Sequence, residues 1–253
     1  MSTGKTKTNF TQLEELLNLD GVSGNENPVR EYLKKAVKPY VDEVNVDKLG
    51  NLICHKKGPK PTLMLAAHMD EIGLMVKRID EKGRIFVSAL GGITTLNVVG
   101  QTVSILGDKK EVVGIITTDE INNDYDVTEL PDMNKVWVDT GLSKKELVKR
   151  GVGIGSYLSL ERVDHRLGNE DFIAGKALDD RAGCFVLLEL MKRIKKTNAD
   201  MYFVFTVQEE VGLYGAKVSA YQVDPDLAIA IDVTNANDVN EEPTKIVGNG
   251  PVL

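Results

Sequence analysis

Four short stretches of the 253-residue chain carry side chains able to hold a metal ion or move a proton. They are His68-Met69-Asp70-Glu71, Asp179-Asp180-Arg181, Glu209-Glu210 and Asp232. One imidazole with several carboxylates is a ligand set for zinc, cobalt or manganese rather than for calcium or an iron–sulfur centre. With carboxylates to spare, one can bridge two ions, an arrangement that activates water and stabilises a tetrahedral oxyanion. Two adjacent glutamates can divide the work, one binding metal and its neighbour, pointing elsewhere, carrying a proton. Each stretch also has an ordinary reading: a solvated loop after a strand, a helix cap, a strand-end turn or a core histidine. Concurrence favours chemistry, because four separate segments each deliver such a group at a strand end or helix start.

The elements that must position these groups are visible in the apolar pattern. Phe203-Val204-Phe205-Thr206-Val207 suits a strand buried on both faces, and it runs straight into Glu209 and Glu210. Thr62–Ala67 is a second apolar strand, ending at His68. Residues two apart in an extended chain face the same way, so His68 and Asp70 can share a side, the arrangement that orients a ligand histidine. Cys184 to Met191 reads as a buried helix ending near Lys195, with Asp179 and Asp180 just before it. A helix cap needs only one aspartate, and Arg181 beside the pair suggests a charge cluster for a cation or a substrate. Leu227–Ile231 reads as a further buried strand ending in Asp232. Open α/β sheets place their ligands at the carboxyl ends of strands, which is where these groups fall.

The rest of the chain divides by texture. Phe10, Leu13, Leu16 and Leu17 recur at helical spacing up to Gly21, and residues 21–25 form a turn. Pro28 suits the first turn of a second helix carrying Val29, Tyr32, Leu33 and Val37. Val44 and Val46 begin a strand pair joined by a turn at 49–52. From Gly73 to Val163 short β-like runs alternate with Gly- and Asp-rich turns, and the only helical signal is near Ser143–Arg150. This predicts an α/β unit made of residues 1–72 and 164–253, interrupted by an all-β module at 73–163. Residues 151–155, Gly-Val-Gly-Ile-Gly, open no helix and read as a turn. The acidic stretch 122–133 reads as an exposed loop. Thr3-Gly4-Lys5-Thr6 lacks the first glycine and the strand of a phosphate-binding loop.

A net charge of −7 argues against a nucleic-acid partner, and no apolar run is long enough to span a membrane. The polar N-terminal residues contain no signal core. Cys54 and Cys184 fit no metal spacing and read as buried thiols in a reducing compartment, so the expected location is cytoplasmic.

Four motifs, AHMDEIGLMV (67–76), GKALDDRAG (175–183), VQEEVGLYGA (207–216) and AIDVT (230–234), give the chain a specific likeness. It resembles the two-metal aminopeptidases that assemble as tetrahedral complexes, variously called glutamyl or deblocking aminopeptidases and sometimes endoglucanases. The resemblance implies an α/β/α sandwich with a central mixed sheet and an inserted, PDZ-like β domain used in dimerisation. It also implies peptide substrates, a homo-oligomer up to a dodecamer, and two divalent ions per subunit, zinc or cobalt with manganese as an alternative. His68 and Asp232 would hold one ion, Asp179 would bridge, and Glu210 would hold the second. Glu209 would be the general base and Asp70 would orient His68. Asp179 is favoured over Asp180 as the bridge because the second position of the family motif tolerates an amide. The peptide between the two is expected to be cis.

The sequence departs from the pattern in two places. The family takes a further histidine from beyond the point where this chain stops, and only His55, His68 and His165 exist here, so the chain reads as C-terminally truncated. A Lys-Pro-Pro-His-like segment expected near Ile115–Glu120 is also absent. Alternatives are therefore an inactive metal-binding or assembly remnant, a related two-metal amidohydrolase or carboxypeptidase, and a glycosidase using Glu209.

Overall fold

A computed structural model describes residues 10–107, 110–119, 130–161, 165–168, 172–236, 245–248 and 250–253. Thr3–Thr6 and most of the stretch 122–133 lie outside the described residues. The chain opens with helices α1 (Thr11–Leu17) and α2 (Asn27–Val37), then strands β1 (Glu43–Val46), β2 (Leu52–Lys56) and β3 (Thr62–His68). Helix α1 buries Leu13, Leu16 and Leu17, and α2 buries Val29, Leu33 and Val37, one stripe on each as the spacing predicts.

Strands β4 (Gly73–Ile79) and β5 (Ile85–Leu90), the single turn α3 (Thr95–Val98), and strands β6 (Thr102–Ile105), β7 (Val112–Thr118) and β8 (Val136–Asp139) follow. Helix α4 (Lys144–Lys149) and strand β9 (Tyr157–Leu160) complete this part of the chain. The six strands close into a barrel in the order β4-β5-β8-β7-β6-β9, with β9 returning to β4 through Leu74 and Leu158. Leu74, Val76, Val87, Val103, Ile105, Ile116 and Val138 fill its own core. Closure pairs every strand on both sides, so these short runs need no outer sheet to satisfy their backbone. Ser143 and Glu146 form a reciprocal capping box that starts α4.

The chain leaves the barrel through a hairpin, β10 (His165–Leu167) and β11 (Phe172–Ala174), into α5 (Leu178–Arg193), β12 (Asp200–Thr206), α6 (Tyr214–Val223) and β13 (Leu227–Ala230). The main sheet has the order β1-β2-β12-β3-β13; β12 and β13 run parallel to β3, while β1, β2 and β12 pair antiparallel. Alternation sorts its side chains. Leu52, Cys54, Leu65, Ala67, Phe203 and Phe205 face α1, α2 and α5, whereas Ile53, Met64 and Val204 face the α6 side. Among the described residues no helix is long and apolar enough to cross a membrane.

The expected burial of Leu227–Ile231 is not what the structure shows. Strand β13 ends at Ala230 and is exposed along its length, with Leu227 at 59% and Ile229 at 44%. It pairs with β3 alone, and among the described residues nothing pairs with its other edge. An apolar run records what a strand can bury; its neighbours decide what it does bury.

Candidate metal centre

Strand register carries the ligands to one edge. Thr206 stands opposite His68 at the carboxyl ends of β12 and β3, so Glu209 and Glu210 emerge just past the histidine. Ala230 pairs with Ala66, and Ile231 N donates to the Ala66 carbonyl at 2.8 Å, which brings Asp232 level with His68. From across the edge, the first residues of α5 add Asp179 and Asp180. Both depart from helical geometry there, and their peptide bond is cis as expected.

All six residues read from the sequence meet around His68. Its Nε2 lies 2.8 Å from Asp179 Oδ1 and 3.9 Å from Glu209 Oε2, while Nδ1 lies 3.4 Å from Asp70 Oδ1. Ligand atoms of His68, Asp179 and Asp232 fall within 4.8 Å of one another, and so do those of His68, Glu209 and Glu210. Asp179 points its half-exposed carboxylate at the histidine. Asp180 is fully buried and accepts from His68 N at 3.2 Å and Gly183 N at 2.9 Å, so it fastens the start of α5 to the end of β3.

Asp70 does more than face a histidine. It is fully buried and accepts from Ser23 Oγ at 2.6 Å, Glu209 N at 3.0 Å and Glu210 N at 3.2 Å. One carboxylate thus positions both the imidazole and the backbone of the glutamate pair. Asn51 holds the same loop from behind. Its Oδ1 accepts from Val207 N at 3.0 Å, and its Nδ2 donates to Gly215 O at 3.0 Å, spanning both ends of the loop. A Cβ at Gly215 would stand 2.3 Å from Val207 O, so the chain closes there only on glycine. The sequence shows Asn51 only as part of a turn, and nothing in it signals this reach across the sheet.

The barrel also touches the centre. A Cβ at Gly91, after β5, would stand 2.7 Å from Ile72 Cγ2 and 3.1 Å from Glu210 Oε2, and its φ of +83° already favours glycine.

Arg181 does not belong to the ligand cluster, contrary to the charge-cluster expectation. It is fully buried on the other side of α5, where Nε donates to Met69 O at 2.9 Å and Nη1 to Leu16 O at 2.7 Å. It ties the end of α1 to the end of β3. Lys176 is similarly engaged, with Nζ 2.6 Å from Asp20 Oδ1, 2.7 Å from Ser159 Oγ and 3.3 Å from Glu71 Oε1. The other two histidines lie elsewhere. His55 stacks on Tyr202 at 4.1 Å and meets Asp200 at 2.8 Å, and His165 is exposed on β10.

The electrostatics call for a cation. Burial pushes Asp180 up to about 7, with the charge of Asp232 adding to it, and burial together with the neighbouring Asp179 pushes Glu210 up to about 7. Glu209 is raised by burial against the pull of His68. For His68, burial opposes the charged ring, but the hydrogen bond to Asp70 and the fields of Asp70, Asp180 and Asp179 prevail and lift it to about 10. Asp70 is lowered because His68, Ser23 and the Glu209 amide outweigh its burial. Carboxylates held this close to one imidazole repel one another, and a divalent ion removes that repulsion. The donor set, one imidazole nitrogen with carboxylate oxygens, fits zinc, cobalt or manganese.

A mixed α/β sheet with a histidine and carboxylates converging at the ends of its parallel strands is an arrangement suited to a metal-dependent hydrolase. Against known proteins, the model of the M42 glutamyl aminopeptidase family matches residues 50–253, and the chain belongs to that family. A lysyl aminopeptidase of Pyrococcus furiosus is 36% identical over 95% of this chain and 71% of its own length. An aminopeptidase structure from Desulfurococcus kamchatkensis superposes with a TM-score of 0.88 at 36% identity, covering 95% of this chain and 68% of that one. The TET1 peptidase of Pyrococcus horikoshii, described as assembling into a tetrahedron or a large octahedral shell, superposes at 0.80 with 30% identity over 87% of this chain and 67% of that one. The chain thus spans about seven tenths of the length of these relatives, and by family it is a peptidase.

Proposed function

We propose that the chain is a metal-dependent aminopeptidase that removes N-terminal residues from short peptides through a glutamate general base. The observation that carries this reading is the convergence of one imidazole and four carboxylates at one strand edge, where His68 lies close to Asp179 and Asp232 on one side and to Glu209 and Glu210 on the other. His68 and Asp232 would hold one cation, Glu210 the other, and Asp179, facing His68 at 2.8 Å, would stand between them. Bound there, divalent ions would polarise the scissile carbonyl and acidify the attacking water. Glu209 sits 3.9 Å from His68 Nε2 with part of its surface open to solvent. Its carboxylate would take the proton from the attacking water and return it to the leaving amine, a role worth about 10²–10⁴ in rate. Asp70 would fix the imidazole through Nδ1 and hold the backbone of both glutamates.

We keep residues 1–72 and 164–253 as the catalytic unit and 73–163 as an inserted, PDZ-like unit that pairs subunits. A barrel closed on itself, with Val113 and Ile115 exposed on β7, supports that division. The two buried free thiols are compatible with a cytoplasmic setting. Hydrolysis of an aminoacyl-anilide that a chelator abolishes and zinc or cobalt restores is the expected result. Turnover that survives complete metal removal would refute the reading.

One observation favours a second reading. The centre contains a single imidazole, since His55 and His165 lie elsewhere. A chain that binds one ion and assembles through its barrel, without turnover, would fit that count. Elemental analysis after reconstitution separates the two: two tightly held ions per chain support the enzyme, and one supports the remnant.

A further inference from the structure

A cavity of about 380 Å³ opens beside Asp179, between the barrel and the start of α5. That size lies within the range of small-ligand pockets, about 300–1,000 Å³. Its wall is mixed: Ile72 next to β4, Ile93 and Val98 on the segment after β5, Leu160 at the end of β9 and Leu178 opening α5 supply the apolar part, and Asn97 and Asp179 add polar groups. Its two buried charges, Glu71 and Lys176, are occupied with each other and with their surroundings. Asp20, Ser159 and Glu71 accept from all three protons of the Lys176 ammonium. Glu71 Oε1 accepts in turn from Gly21 N at 2.9 Å and stands 3.7 Å from Arg181 Nη2. A carboxylate brought to the depth of Lys176 would meet no free counter-charge and would lose its water, a cost of several kcal/mol, and an ammonium would meet only Asp179, which the proposed function assigns to the cations. An apolar side chain incurs no such cost and gains from burial.

We infer that this cavity is a side-chain subsite of the peptidase, receiving a large, uncharged, apolar side chain from a residue flanking the scissile bond, with Ile93 setting its reach. The inference rests on the aminopeptidase reading and adds a substrate class to it. Asp179 lines the same cavity and faces His68 at 2.8 Å, so a side chain seated there leaves its peptide bond beside the ligand cluster. The barrel therefore supplies part of the substrate wall. The preference differs from the charged residues named for the family and for the Pyrococcus furiosus relative.

Two measurements test it. In the first, kcat/KM is determined for Ala, Leu, Phe, Glu and Lys anilides, and for dipeptides with alanine first and the same residues second. Leu and Phe should exceed Glu and Lys by at least about tenfold in one of the two series, and Ile93→Trp should reduce the Leu-to-Ala ratio in that series about tenfold. The second needs no turnover. Cys54 and Cys184 are buried, so Ile93→Cys provides one accessible thiol. Leu-Leu should slow its alkylation by N-ethylmaleimide, and Gly-Gly, Glu-Glu and Lys-Lys should not. Flat selectivity in both series with uniform protection would overturn the subsite while leaving the aminopeptidase reading intact. Selective protection by Leu-Leu with no hydrolysis of any substrate would retain the subsite as a peptide-binding pocket and overturn the enzyme reading.

Discussion

Replacing Asp70 with asparagine changes one oxygen for an NH2 group at the point where the glutamate loop, the imidazole and the N-terminal turn converge. In the native protein Oδ2 accepts from Ser23 Oγ and Glu210 N, while Oδ1 accepts from Glu209 N and faces His68 Nδ1. The Ser23 hydroxyl can turn to accept, but a backbone N–H cannot. Whichever way the amide lies, one of the two glutamate amides then faces a donor. A lost hydrogen bond to a charged group is worth about 1.5–3 kcal/mol, and the surviving bonds fall from charge-assisted to neutral strength. For a chain of this size the loss corresponds to a Tm decrease of about 3–12 °C. Metal affinity should fall up to about tenfold, because the imidazole loses the charged carboxylate 3.4 Å from Nδ1 and keeps the Asp70 carbonyl at 3.2 Å. Thermal unfolding of metal-free protein reads the first effect and calorimetric titration with zinc the second. Ser23→Ala, which removes one donor and leaves the carboxylate, should show a smaller loss of stability. If Asp70→Asn leaves both the metal-free Tm and the zinc affinity unchanged, the account of Asp70 as organiser of the loop is wrong.

Glu209→Gln should retain bound metal while lowering kcat about 10²–10⁴-fold, and near-native turnover would remove the general-base role. Lys176→Met leaves the carboxylates of Asp20 and Glu71 without their ammonium, so unfolding by urea should reveal a loss of about 3–5 kcal/mol. Gly91→Ala forces a left-handed backbone on alanine and pushes a Cβ toward Glu210, and it should depress metal binding as well as stability. Cys54 and Cys184 are both buried, and burial pushes the Cys54 thiol up to about 12; both should resist a thiol-specific disulfide reagent until the protein is unfolded, and then react together.

Much of this architecture is written locally. The ligand-bearing segments could be read because each puts a charged group at the boundary of an apolar run, after it for His68, Glu209 and Asp232 and before it for Asp179, and parallel register then brings His68, Glu209 and Asp232 to one edge. The β texture of 73–163 was legible for the same reason, since alternation and turns are short-range signals. Features decided by distant neighbours were not. Arg181 sits two residues from Asp179, yet the turn of α5 aims it into the core at Leu16 O. Strand β13 is as apolar as β3 but has a partner on one side only. Asn51 and Ser23 act on residues far along the chain, through contacts that no local pattern encodes. Closure of the barrel depends on Leu74 meeting Leu158, which only the three-dimensional path supplies.

The placing of the barrel has a mechanical consequence. Only Met69 to Ile72 separate His68, the last residue of β3, from Gly73, the first of β4, and Glu71 in that span is pinned to the N-terminal turn through a bridge with Val22. The barrel is thus hinged directly on the ligand-bearing strand end, and Gly91 brings it back close enough to Glu210 that only a residue without a side chain fits between them. On this side a displacement of the barrel reaches His68 through the four residues Met69 to Ile72 alone. Lengthening the 69–72 connector would uncouple the barrel from that strand end, while the same insertion in the Gly153–Ser156 turn would leave the linkage intact.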